Sequence, residues 1–167
     1  MIRKVEDFLK AYEFESVGTQ KLLDVLTDES IKQRVADGHR TLGNIAWHIA
    51  TTIPEMLGRT GLELKGPSHT TPTPPSARQI ADAYREAAAS LLAQIKEKWD
   101  DSTLSVEDDM YGEKWKRGQS LSALMMHECH HRGQLTVLMR QAGLRVPGIY
   151  GPAQEDWAQM GMQAPPE

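Results

Sequence analysis

Histidine occurs three times in the stretch HECHHRGQ, residues 127 to 134, as His127, His130 and His131, with Glu128 beside the first of them. On a helix, His127 and His131 lie one turn apart on one face, a spacing that lets both imidazoles bind a single metal ion. Together with Glu128 they spell H-E-x-x-H, the pattern in which zinc peptidases place two ligands and a general base. Such a peptidase needs a third ligand. The extended form of the pattern fails because positions 134 and 137 are Gln and Val, and the later glutamates, Glu155 and Glu167, fall in a tail broken by glycine and proline. No alternation of apolar and polar residues marks a strand that could hold an extended peptide. The spacing fits a pair of metal ligands without fitting a peptidase.

His48, in the stretch LGNIAWHIA, sits between Ile45 and Thr52 at helical spacing and is flanked by Ala46, Ile49 and Ile53, so it too points toward a core. Three imidazoles converging there would each bring a polar atom to satisfy, and one divalent ion satisfies all three. Spacing leaves a second reading open, in which each is a core histidine with its own hydrogen-bond partner. His39 and His130 read as solvated or supporting groups, and His69 lies in a proline-rich connection. Three neutral imidazoles would leave a divalent ion with an open position, where a water or a small thiol becomes acidic enough to act as a nucleophile. Glu128, which projects to one side of the two histidines, is the candidate catalytic base, against the competing reading of a solvent-facing or supporting carboxylate. Glu55 and Gln134 are further polar groups within reach. Arg132 reads as a surface or dimer contact, Cys129 as an inert thiol facing away from His127, Trp47 as a core anchor or a site-mouth residue, and Tyr150 as a pin for the tail.

These side chains need elements to hold them. Apolar residues recur at helical spacing almost throughout, so the fold class is all-α. A first helix, over about residues 5 to 26, carries Val5, Phe8, Leu9, Tyr12, Val17, Leu22, Leu23, Val25 and Leu26 on a broad stripe. Thr41 caps a second helix that stops at Gly58 or Gly61, with a kink expected at Pro54, which has no N–H to bond Ala50. Residues 59 to 75 hold glycine, threonine and four prolines, too long a connection for a bundle built on short loops alone. It lets the second and third helices lie parallel. Ser76 is expected to cap the third helix, residues 100 to 119 to form an acidic and then basic loop, and Ser120 to cap a fourth helix ending at Gly143. On that helix the inward stripe runs through Leu121, Leu124, His127, His131, Leu135, Leu138 and Ala142. The architecture is a four-helix bundle with a long crossover between helices 2 and 3, a single domain over residues 1–167, with a wrapping tail that frays over residues 158–167.

Composition narrows the function classes. At 167 residues the chain can bury roughly two thirds of its unfolded surface around one core. Its single cysteine excludes an internal disulfide and fits a reducing compartment. Glu6 and Asp7 interrupt any signal-peptide segment, and no stretch approaches the roughly 20 apolar residues of a membrane span. The expected location is cytoplasmic, with no membrane partner. With 19 basic and 23 acidic residues, the net charge of −4 offers no general attraction for nucleic acid. The short cluster Lys114, Lys116 and Arg117 around Trp115 reads as a solvated loop.

The LGNIAWHIA helix with His48, the HECHHRGQLTVLMRQAG helix with His127, His131 and HRGQL, and the following RVPGIYGP together resemble the DinB/YfiT-like family, in the family's order and over most of the chain. The resemblance implies a four-helix bundle with a long crossover, holding a divalent ion, typically zinc or nickel, on three histidines. By position these are His48, His127 and His131. It further implies a homodimer and, for some relatives, S-transfer or isomerisation with a low-molecular-weight thiol. The family's pattern does not require Glu128. Two functions follow as expectations: a metal-dependent transferase or hydrolase on a small molecule, or a noncatalytic stress-response or interaction bundle whose histidine cluster is structural or vestigial.

Overall fold

Thr41 opens the helix that carries His48 with a reciprocal cap: its hydroxyl accepts from the Asn44 N–H, and the Asn44 side chain accepts from the Thr41 N–H, each at 3.0 Å. Two N–H groups that a helix start would leave unpaired are thereby satisfied. In the computed structural model, which describes residues 2–166, this helix is one of four long ones: α1 (Val5–Asp24), α2 (Leu42–Gly58), α3 (Ala77–Lys98) and α4 (Arg117–Gln141). Pro54 lies inside α2 without ending it. α3 lacks the expected serine cap. Ser76 makes no side-chain cap bond, and the Ala77 N–H donates instead to Asp28 at 2.8 Å, so the α1–α2 connection supplies the acceptor.

Hydrogen bonds fix the directions of the helices. The connection after α2 passes Gln94, Ser90 and Ala87 of α3 with Glu63, Lys65 and Gly66 in turn, then reaches Trp47 and Asn44 of α2 with Thr71 and Thr73. It runs back along the bundle, so α2 and α3 are parallel, as a long crossover allows. Arg85 meets Asp24, which sets α3 antiparallel to α1, while Tyr12 meets Glu128 and Glu15 meets Arg132, which sets α1 parallel to α4. α2 packs between α3 and α4, and the four inner faces close one core that includes Phe8, Tyr12, Leu22, Ile49, Ile53, Ile80, Leu91 and Leu135. Each such aliphatic or aromatic side chain contributes about 1.5–3 kcal/mol on burial. Of the expected α1 stripe, Val17 and Val25 are exposed instead.

Two expectations for residues 100–120 are corrected. A β-hairpin forms, β1 (Glu107–Met110) against β2 (Glu113–Lys116), where only a loop was expected. Its register pairs Glu107 with Lys116 and Asp109 with Lys114, so the acidic-then-basic run is a set of opposite charges facing one another across a turn. Tyr111 and Gly112 form that turn with φ of 61° and 89°, the left-handed pair a tight hairpin requires. α4 then begins at Arg117, ahead of Ser120, because the Arg117 N–H donates to the Val106 carbonyl and Arg117 pairs with Asp108 as the strand feeds straight into the helix. Ser120 is buried inside the first turns, its hydroxyl without a partner among the described residues.

Gly143, at φ 76°, ends α4 as expected, with the Leu144 N–H reaching back to the Met139 carbonyl and the Gly143 N–H to Arg140. The tail wraps over α1 and α4. Tyr150 donates to Glu15, Ile149 sits over Gly18, and a single turn, α5 (Asp156–Gln159), follows, with backbone bonds extending to Met162. Among the described residues no helix is long and apolar enough to cross a membrane.

Candidate metal centre

α2 and α4 pack against each other so that His48 faces His127 and His131 across the interface. The Nε2 of His127 lies 3.2 Å from Nε2 of His48 and 3.1 Å from Nε2 of His131. One ring nitrogen from each of the three lies within 4.8 Å of the others. Metal–nitrogen bonds of about 2.0–2.1 Å, at angles of about 90–110°, place ligand nitrogens about 2.9–3.4 Å apart. The His127 pairs fall in that interval, and the three-histidine site is capable of coordinating a divalent metal ion.

Hydrogen bonding alone does not satisfy these rings. His131 Nδ1 lies 2.7 Å from the Gln134 side-chain oxygen, which can only accept, so Nδ1 carries the proton and Nε2 turns its lone pair inward. The Gln134 amide in turn faces His130 at 3.2 Å, consistent with that orientation. His127 Nε2 has one proton or one lone pair, yet it meets two neighbours, so one contact is left without a complementary partner. An ion accepting three lone pairs removes the conflict. Burial first, and then the mutual repulsion of the rings, brings His48 and His127 down to about 4, and burial lowers His131 as well. All three are neutral near pH 7, the form that ligates.

The centre lies between two clefts. One, of 460 Å³, is lined by His48 and His127 together with Thr52, Glu55, His69 and Tyr111. Glu55 accepts from the Tyr111 hydroxyl at 2.6 Å and from Arg59 at 2.8 Å, and Arg59 also stacks on the Tyr111 ring. Burial alone would push Glu55 up, but these two donors hold it below the usual carboxylate range. Burial and the bond to Glu55 push Tyr111 up to about 12, so it stays a donor. The other cleft, of 650 Å³, reaches His131 and Gln134 and is walled by His39, Arg40, His130 and Val137. The positive charge of Arg40 is felt at all three histidine rings, where it opposes their protonation.

Glu128 is not at this centre. It is 2% exposed and accepts from Thr19 at 2.5 Å, Tyr84 at 2.5 Å and Tyr12 at 3.2 Å, on the side of α4 that faces α1 and α3. No histidine is among its hydrogen-bond partners, so its placement does not support the expected role of catalytic base. Burial raises its pKa, and the three hydroxyls and Arg132 oppose that shift. Arg132, expected at the surface, is 3% exposed and is paired with Glu15, the Glu15 carbonyl and Tyr150. Cys129 faces the same group, 2.8 Å from Arg132 and 3.2 Å from Tyr150, and away from the metal centre. Tyr150 pins the tail as expected, and Trp47 anchors the crossover through the Thr71 carbonyl at 2.8 Å.

The inward stripe of α4 is therefore turned toward Glu128 and Arg132, leaving His127 half-buried. A signal for this was present: Glu128 lies four residues from Leu124 and seven from Leu121 and Leu135, and Tyr12 and Tyr84 bring hydroxyls to the facing stripes. Arg40 and Tyr111, which line the two clefts, carry no local signal in the sequence, because both come from loops whose approach to the histidines is a tertiary contact.

The DinB family model matches residues 1–165. An uncharacterized protein, YrdA, of Bacillus subtilis is 47% identical over 165 residues, which cover 99% of each chain. The crystal structure of a DinB-like protein from Bacillus cereus superposes with a TM-score of 0.87 at 47% identity, covering 90% of this chain and all (100%) of that one. A second DinB-like structure, YjoA of Bacillus subtilis, has a TM-score of 0.69 at 20% identity, covers 87% of this chain and 98% of its own, and supports the fold alone.

Proposed function

The chain belongs to the DinB family, and we propose that it is a metal-dependent enzyme acting on a small molecule, a thiol-dependent S-transferase or a hydrolase, with zinc or nickel held by His48, His127 and His131. The observation that carries this reading is the convergence of three neutral ring nitrogens between two clefts. A purely structural site would be closed on all sides by protein ligands, whereas three ligands with a cleft on either side leave room for a reactant.

When bound, the ion supplies Lewis acidity at its open position, which makes a water or a low-molecular-weight thiol nucleophilic near pH 7. The chain's own residues do the rest. Gln134 holds His131 in the ligating tautomer, and burial keeps all three rings unprotonated. Glu55 remains ionised and holds the Tyr111 hydroxyl, which donates to it, so that the Tyr111 ring lines the smaller cleft beside His48 and His127. With Glu128 committed to three buried hydroxyls, Glu55 is the carboxylate placed to meet a reactant beside His48 and His127. We further read the protein as a cytoplasmic homodimer, and a sedimentation mass of one chain at micromolar concentration would overturn the dimer.

Elemental analysis of untagged protein, purified without added metal, tests the centre. The expected result is about one zinc or nickel per chain, lost in each of His48→Ala, His127→Ala and His131→Ala. A folded wild type that neither carries nor takes up divalent ions would refute the proposal.

A further inference from the structure

The two clefts differ in charge. Glu55 lines the smaller one, whereas no carboxylate lines the larger one among the described residues. The larger cleft is instead lined by Arg40, His39 and Val35 from the loop before α2 and by His130 and Val137 from α4, so cationic or polar and apolar groups both line it. Val35 and Val137 are 63% and 56% exposed, an apolar surface flanking a cationic group. No hydrogen bond or ion pair engages the Arg40 guanidinium among the described residues, whereas Arg132 is paired with Glu15 and Arg59 with Glu55.

Arg40 is also held in place. A bridge between Arg34 and Thr41 closes the loop that carries it, and the Arg34 guanidinium donates to the His39 carbonyl at 2.7 Å. Thr41 is the N-cap of α2, so the base of the loop is fixed to the helix that presents His48. A guanidinium without a partner among the described residues, on a closed loop that lines the same cleft as His131, is suited to receive a planar anion through paired N–H donors.

We propose that Arg40 binds the carboxylate of a small amphiphilic substrate whose apolar part lies along Val35 and Val137, delivering its reactive end to the three-histidine centre through the larger cleft. This deepens the proposed function and rests on that reading for the reaction, though not for the binding. Hydrophobic contact supplies affinity and the guanidinium supplies orientation, which is how a site of this size selects among small molecules.

Calorimetric titration of zinc-loaded, untagged protein with hexanoate, and with hexylamine as the opposite charge, tests the assignment. Hexanoate should bind and hexylamine should not. Arg40→Gln should weaken hexanoate about tenfold or more, the loss expected when a charge-assisted carboxylate contact is removed. Arg78→Gln, at an exposed position on α3, should leave binding unchanged and controls for net charge. Equal affinity of hexanoate for Arg40→Gln and wild type would overturn the proposal, including the case in which the carboxylate simply ligates the metal. Absence of hexanoate binding at millimolar concentration, or equal binding of hexylamine, would overturn it too. Should the wild type take up no zinc, the metal-centre reading fails separately, and the same titrations on metal-free protein decide the role of Arg40: binding that depends on Arg40 sustains the anion site, and binding that does not removes it.

Discussion

Replacing Gln134 with leucine separates the geometry of the metal centre from the stability of the fold. Gln134 is exposed, and among the described residues its side chain bonds only His131 and His130, so Gln134→Leu removes no core contact and should leave the melting temperature of the metal-free protein unchanged. What it removes is the acceptor 2.7 Å from His131 Nδ1. Without that acceptor the ring can carry its proton on Nε2, the nitrogen that must face the metal, and can rotate away from it. Losing a partner of this kind costs about 10–100-fold in metal affinity, or about 1.4–2.7 kcal/mol. A competing effect exists, because the bond to Gln134 partly offsets the burial that lowers the His131 pKa, and removing it lowers that pKa further. Reduced competition from protons would favour metal, but the ring is already neutral near pH 7, so this contributes almost nothing and orientation decides. Zinc affinity measured by competition with a chromophoric chelator at pH 7 should therefore fall by at least tenfold, and Gln134→Glu, which keeps an acceptor, should retain it. A Gln134→Leu affinity within twofold of wild type would refute the tautomer argument.

Metal-free protein should lose stability as pH falls from about 6.5 to about 4: the unfolded histidines take up protons near their ordinary pKa while His48 and His127 resist until about 4, so protons favour the unfolded chain across that window. Denaturant melts across this range should show a flatter profile for the His48→Ala, His127→Ala double variant. Glu128→Ala should lower stability by about 3 kcal/mol or more, since it leaves the hydroxyls of Tyr12, Thr19 and Tyr84 without their buried acceptor. Because that side of α4 is not the metal side, whatever folds should still bind metal at wild-type stoichiometry; loss of metal with the fold intact would return Glu128 to the centre. Gly18→Ala puts a methyl 2.7 Å from Ile149 Cγ2 and should cost about 1–3 kcal/mol by displacing the tail, visible as faster amide exchange over residues 144–152.

The sequence by itself determined the helices and which histidines could converge. Periodicity marked four helical stripes, Thr41 and Gly143 marked ends by local bonding, and the proline-rich run after Gly58 required a crossover. His127 and His131 could be placed on one face because four residues make about one turn, and His48 because its flanks are apolar at the same spacing. These are local facts, set by chemistry within a few residues of each position. Tertiary structure decided the rest. Whether Glu128 faces a metal or a core depended on hydroxyls from α1 and α3, more than forty positions away in the chain. Ser76 and Ser120 lost their capping roles to Asp28 and to a hairpin whose register sets acidic residues opposite basic ones, with little apolar alternation. Arg40 and Tyr111 reach the two clefts from turns far apart in sequence, so no local spacing relates them to the histidines. A polar side chain takes its role from whichever partner the fold brings within about 3 Å, and that partner is not encoded in its own neighbourhood.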